Sequence, residues 1–363
     1  MTSIRPKDIY RGRRRWRTVL TALLLILLLL VIAAVALFYG LQKYVVVTQE
    51  GVSLVLPFMD KPAPEEQPEP ETVTEIPEDI VIETPDFGEV AVQAGERLSP
   101  IRALFVPAGE ISGENLAAYA AALEARGANA LVLDMKPESG QLAWLSEVYE
   151  ASAFGLNGSE DLRETISGLK ERGVYLVARI SCCVDEMMAL RNTPLSLKTP
   201  EGEPYSDSSG YWLDPYNRSV REYIISLMKE LADMGFDEIL LASLAHPVER
   251  ESIVYSQDMS AAMDVVSCVS NFALKVTEAM ESTGVRVSAL LDRASLTEGS
   301  EPPTGQDLKF FYTVFDRVYI VTDGEKLGSD MQAAQTAMSG GELESRFVPI
   351  VSAAPGTESW VLR

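Results

Sequence analysis

A parallel α/β barrel of the TIM type, (β/α)8, standing behind an N-terminal transmembrane helix and a disordered linker, is the architecture the sequence predicts. Three observations carry it. From Ser99 onward, apolar runs of strand length alternate with segments of helical periodicity. The runs are apolar throughout rather than at every second residue, as strands are when a parallel sheet is covered on both faces. Finally, the stretch of about 265 residues suits this kind of barrel, whose usual size is roughly 250.

The elements follow in order. Ile101 to Ala108 is the first strand and Gly113 to Arg126 the first helix. Asn129 to Lys136 and Val174 to Cys182 are the second and third strands, with a helix at Ser159 to Arg172 between them. Tyr216 to Met234 is a helix because Val220, Tyr223, Ile224, Leu227, Met228 and Leu231 recur at spacings of three and four. Phe236 to Ser243 is the fourth strand, Met259 to Ser282 a long helix, and Val285 to Asp292, Asp316 to Asp323 and Arg346 to Ala353 the last three full strands. Few residues remain after that. Either Trp360 to Arg363 supplies a short eighth strand, or the barrel is incomplete and open at the eighth unit. A doubly wound open sheet is the competing architecture, but Pro107-Ala108-Gly109-Glu110 after the first strand is no dinucleotide fingerprint.

Ahead of the barrel the composition changes three times. Residues 1–17 hold seven Lys and Arg against Asp8 and read as a cytoplasmic basic tail. Val19 to Phe38 contains no charge, and a helix of that length rises about 30 Å, enough to span the hydrocarbon core; the transmembrane segment is placed at 18–41. The long Leu-rich run, with no small-residue cleavage site, favours an uncleaved anchor over a signal peptide. The basic flank puts the N-terminus in the cytoplasm and the rest of this single-pass chain outside the cell membrane. Residues 42–59 carry two β-rich runs around Gln49-Glu50-Gly51 and read as a juxtamembrane hairpin. Residues 60–98 are acidic and punctuated by proline, with too little apolar surface to fold, and make a disordered linker before the barrel at 99–363.

The formal net charge is −22, and the basic tail leaves the remainder near −28. Such a surface excludes nucleic acid as a partner, because phosphate binding needs Lys and Arg to replace counterions. One histidine gives no His-rich metal site, and no cofactor is implied. Cys182, Cys183 and Cys268 lack metal or redox spacing and read as buried free thiols.

Three stretches carry a family resemblance: Val132 to Gly140 (VLDMKPESG), Leu169 to Ile180 (LKERGVYLVARI), and Tyr211 to Tyr223 (YWLDPYNRSVREY) followed by Gly235 to Leu241 (GFDEILL). In these motifs the chain resembles the bacterial glycoside-hydrolase-like (β/α)8 barrel domain of exported and membrane-anchored proteins, especially those of Gram-positive bacteria, over about Ile101 to Val351. The resemblance matches Asp134, Met135 and Lys136 to the end of the family's second strand and Arg179 to its third. It matches Trp212, Leu213, Asp214, Pro215 and Asn217 to the turn before its helix. Two strands depart from the pattern. Where the family reads Phe-Asp-Tyr-hydrophobic-Arg-Phe-Pro, this chain has Leu241-Ala242-Ser243-Leu244-Ala245-His246-Pro247, and where the family reads Ser-Ala-Asp it has Ser288-Ala289-Leu290.

Glycoside cleavage ordinarily needs two carboxyl groups flanking the scissile bond. With Ala242 and Leu290 at the altered positions, the substitutes near strand C-terminal ends are Asp134, Glu138, Asp185, Asp292 and Asp323. Asp134, Glu138 and Asp292 are the catalytic candidates; Asp292 shares a strand face with Leu290. Lys136, Arg179, Trp212, Asp214 and His246 are the candidate ligand-binding residues. Each has a structural alternative. Asp134 and Lys136 share a face and could form an ion pair, and Arg179 could neutralise Asp134. Trp212 either stacks on a sugar or covers the rim, Asp214 could cap the following helix, and His246 could be an ordinary loop residue. Two functions follow: a catalytically degenerate barrel that binds or scaffolds cell-envelope polysaccharide or another glycan, or an active glycoside hydrolase with relocated carboxylates.

Overall fold

The computed structural model describes residues 98–158, 161–256, 263–296, 302–338 and 342–363, with the strands Val45–Thr48 and Gly51–Leu54 and five helical positions between 19 and 27. The chain divides into two units, Met1–Val90 and Ala91–Arg363. In the first, Val45–Thr48 pairs antiparallel with Gly51–Leu54. The expected linker and nearly all of the expected membrane span lie outside the described residues, among which no helix is long and apolar enough to cross a membrane.

The second unit is a closed parallel barrel. Its strands are β1 (Arg102–Val106), β2 (Ala130–Lys136), β3 (Tyr175–Ser181), β4 (Glu238–Ala242), β5 (Arg286–Leu291), β6 (Val318–Val321), β7 (Phe347–Val351) and β8 (Trp360–Leu362). Each hydrogen-bonds to its sequence neighbours, and β8 closes the ring between β7 and β1. Six helices fill the first six connections: α1 (Gly113–Ala122), α2 (Arg163–Glu171), α3 (Arg218–Met234), α4 (Val265–Met280), α5 (Leu308–Val314) and α6 (Leu327–Ala337). The open-sheet and open-barrel alternatives are thereby excluded. Three residues suffice for closure because Val361 pairs with both Ile350 and Ala103, and the Ser359 hydroxyl accepts from the Ile101 amide while donating to the Glu344 carbonyl.

Alternation along the strands separates two apolar layers. Ala103, Val132, Val177, Leu240, Tyr319, Val348 and Val361 fill the barrel interior, while their neighbours Leu104, Leu131, Leu176, Ile239 and Ile320 face the helices. On α3 the residues read from the sequence as one face, Val220 through Leu231, are all buried. That helix starts at Asn217, whose side chain accepts from the Ser219 amide, and stops at Gly235, whose φ of 101° favours glycine. The expected cap at Asp214 is incorrect. The Pro215-Tyr216 turn sets Asp214 three residues before the cap, and its carboxylate instead accepts from the Tyr216 amide and from the amide and hydroxyl of Ser256.

A charged cluster that the sequence did not suggest lies at the N-terminal end of the barrel. Glu238, fully buried, accepts from the Tyr175 and Tyr319 hydroxyls, both at 2.8 Å, and pairs with Arg317. Arg317 also donates to the Ser345 and Ser99 carbonyls, so most of its fork is satisfied without water.

Candidate functional site

The candidate residues stand at the opposite, C-terminal end of the barrel, where the strand exits and loops converge. A bulge in β2 decides which way they point. Asp134 pairs in register with Arg179, but the next partner of β3 is Lys136 rather than Met135. The extra residue breaks the alternation, so Asp134 faces inward while Met135 and Lys136 both turn toward the helices. Lys136 therefore does not pair with Asp134 or reach a ligand cleft. It is fully buried, 2.8 Å from Asp185, and donates to the Ser181 carbonyl at 2.6 Å. Asp185 in turn caps the short helix Glu186–Arg191 through the Met188 amide. Gly140 passes so close to this carboxylate that a Cβ there would lie 2.0 Å from Asp185 Oδ1. The loop after β2 is held further by Glu230 of α3, which accepts from Trp144 Nε1, Ser146 Oγ and the Glu147 amide.

That loop presents Glu138 to Arg179. The guanidinium donates to Asp134 Oδ1 at 2.6 Å through one nitrogen and to Glu138 Oε1 through the other, so a single cation clamps both catalytic candidates. Asp134 and Arg179 are each 12% exposed and Glu138 is 36% exposed. The two carboxyl groups are pushed apart in acidity. Burial raises Asp134 and outweighs the pull of Arg179, whereas at Glu138 burial is overcome by the Arg179 charge and hydrogen bond, a backbone hydrogen bond and Lys136, and its pKa falls. Arg179 itself is held more firmly protonated by the two carboxylates than burial can offset.

Beside the clamp opens a cleft of about 880 Å³ lined by Trp212, Ser243, His246, Leu290, Asp292 and Gln306, among others. Asp292 is the one predicted catalytic residue on its wall; Asp134 and Glu138 are not among the lining residues. Ser243 has a φ of 51° at the exit of β4, a left-handed conformation unusual for a side chain with a Cβ. Ala242 is fully buried, and Leu241 and Leu244 pack in the outer layer, so of the three leucines at these strand exits only Leu290 enters the cleft.

Trp212 is 5% exposed, which leaves little of its ring for stacking and favours the rim-packing role. His246 is not a solvent-exposed loop residue. It is 1% exposed and packs edge-on against Tyr216 and Tyr255, with ring centroids 5.1 and 6.0 Å away. Burial, with a contribution from Arg250, pushes its imidazole down to about 3, so it is neutral near pH 7. Asp214 is fully buried, and Asp323 is an exposed carboxylate accepting from the Lys326 amide ahead of α6.

Sequence reasoning missed the segment that organises this wall. Gln306 Oε1 accepts from the Asp292 amide at 2.7 Å, its Nε2 donates to the Leu244 and Leu290 carbonyls, and the Thr304 carbonyl accepts from the His246 amide. One buried amide thus ties the exits of β4 and β5 together. The signal available was Pro302-Pro303-Thr304-Gly305, which marks a turn without saying what it binds. Cys182, Cys183 and Cys268 are buried free thiols, and burial raises all three.

Comparison with known proteins places the chain. No match was found among curated protein sequences. Among solved structures, a hypothetical protein from Ruminiclostridium thermocellum shares 23% identity at a TM-score of 0.47, over 51% of this chain and 96% of that one. The spore cortex-lytic enzyme of Bacillus megaterium shares 12% at 0.42, over 71% and 51%, and a β-N-acetylhexosaminidase from Streptomyces coelicolor 13% at 0.45, over 70% and 49%. This chain spans about half the length of the latter two, and at such scores none defines an activity for it. Residues 103–321, more than half of the chain, match the family described as "Putative glycosyl hydrolase domain", and the chain belongs to that family.

Proposed function

We propose that this protein is a membrane-anchored, extracytoplasmic glycoside-hydrolase-like barrel that binds or scaffolds envelope carbohydrate and has lost hydrolysis. The observation that carries the reading is the clamp. Asp134 and Glu138 are both spent on Arg179, and the cleft beside them is reached by Asp292 without a second predicted catalytic carboxylate. Cleavage needs one carboxyl to protonate the leaving oxygen and another to attack or to activate water. Residues bound to a common guanidinium cannot do both while the clamp is closed. Anchoring is supported by the uncharged run Val19 to Phe38 and the basic block before it, and the acidic remainder argues against nucleic acid.

A second reading rests on the opposed acidities of Asp134 and Glu138, the pattern by which an acid and a base divide their roles. It makes the chain an active glycosidase once Arg179 releases one carboxylate toward Asp292. A pull-down of purified envelope polysaccharide by the full-length chain in detergent tests the first reading. Saturable retention is expected, and failure to retain any glycan would leave the carbohydrate assignment without support.

A further inference from the structure

The cleft wall holds polar atoms that no described group of the protein satisfies. His246 Nδ1 and Nε2 and Trp212 Nε1 are buried without a hydrogen-bond partner, and both side chains line the cleft while being more than nine-tenths buried. Orphaned buried donors and acceptors cost stability, and native proteins retain few of them. Here the Thr304 carbonyl accepts from the His246 amide, Tyr216 and Tyr255 pack edge-on against its ring, and Trp212 is packed at the rim. A neutral imidazole offers one N–H and one lone pair, and the indole offers a second N–H.

The charges around these atoms are mostly acidic. Among the described residues, Asp207, Glu249 and Asp292 line the cleft, its lining arginine, Arg293, is bound to Asp330, 2.5 Å away, and Arg250 is the cation that acts on His246. With His246 pushed down to about 3, no cation is added by the imidazole near neutral pH. The remaining polar lining consists of hydroxyls and an amide, including Ser243, Thr304 and Gln306.

We propose that the Trp212–His246 wall is a subsite for an uncharged sugar ring, held by ring substituents that both donate and accept hydrogen bonds, and that the cleft rejects anionic glycans. This rests on the carbohydrate reading above and narrows it to a charge class. A hydroxyl can serve either ring nitrogen of the imidazole and accept from the indole; a carboxylate or phosphate group only accepts, and an anionic glycan, although it carries hydroxyls as well, brings its charge to an acidic lining.

The single histidine makes the test direct. Full-length protein labelled with 15N-histidine is titrated with neutral hexasaccharides of glucose, mannose and N-acetylglucosamine, and with hexagalacturonate, while calorimetry follows binding independently. At least one neutral chain is expected to bind and to move both ring-nitrogen resonances, with hexagalacturonate at least tenfold weaker. His246→Phe, which keeps the ring packing and removes both nitrogens, is expected to bind about tenfold more weakly while melting at an unchanged or higher temperature. Calorimetric binding of a neutral chain with unmoved imidazole resonances, or equal affinity for hexagalacturonate, overturns the proposal and leaves the carbohydrate reading standing. No binding to any saccharide, neutral or anionic, removes the carbohydrate reading and the subsite with it.

Discussion

Replacing Arg179 by methionine isolates the clamp, because the stem is kept and only the charge and its hydrogen bonds are removed. Asp134 and Glu138 then lose the cation they share, in a site where Asp134 is 12% exposed. Removing one partner of a buried pair costs about 3–5 kcal/mol. The Glu138 share is discounted because that side chain is 36% exposed and partly screened, which brings the expected loss to about 3 kcal/mol at pH 7. For a domain of this size that lowers the melting temperature by about 6–12 °C. The pH dependence fixes the cause. Without the guanidinium the folded-state pKa of both carboxyls moves upward, and a raised acid contributes stability at low pH that is lost as pH rises. The deficit relative to the native protein is therefore largest near neutrality and shrinks as the pH falls into the acidic range, where the native carboxyls take up protons as well. Thermal unfolding followed by circular dichroism from pH 7 to pH 3.5 measures it. A deficit of the same size at both ends would assign the loss to packing and refute the electrostatic argument.

Four further substitutions probe the frame. Glu238→Gln leaves the Arg317 charge buried without compensation and should cost about 3–5 kcal/mol in denaturant unfolding, while Glu238→Gln with Arg317→Met should recover much of it. Gly305→Ala places a Cβ 2.5 Å from the Val265 carbonyl at a φ of 79° and should cost about 1–3 kcal/mol; because Gly305 sits between Thr304 and Gln306, glycan affinity should fall with it. Ser243→Gly relieves the left-handed φ of 51° and should raise stability by up to about 1 kcal/mol, read as a higher midpoint in urea.

The strands were legible because the barrel demands apolar residues on both faces of each one, so β2 through β7 stand out as continuous hydrophobic runs. The eighth strand was visible only as an alternative, since three residues carry little pattern and its existence depends on pairing with β7 and β1. At the site, Arg179 beside Asp134 was readable as neutralisation between adjacent strands, whereas Glu138 on the same guanidinium was not, because it lies on the loop after β2. Lys136 was misplaced because a bulge leaves no mark in a sequence that would otherwise alternate. Gln306 was invisible for a different reason: it reaches back 62 residues to the Leu244 carbonyl, and nothing local to Gln306 records that partner. Glu238 and Arg317 were not legible either: each is one charge at the entry of an apolar strand, and only their pairing across the barrel explains both.

The central claim is that the barrel holds a glycan without cutting it. Incubation of the full-length protein with purified envelope polysaccharide in 18O-water, followed by mass spectrometry, tests this directly, because any hydrolysis places 18O at a new reducing end. The account predicts retained glycan with no labelled ends above the protein-free control. Labelled fragments that disappear in Glu138→Gln or Asp292→Asn would contradict it and establish the relocated-carboxylate glycosidase in its place.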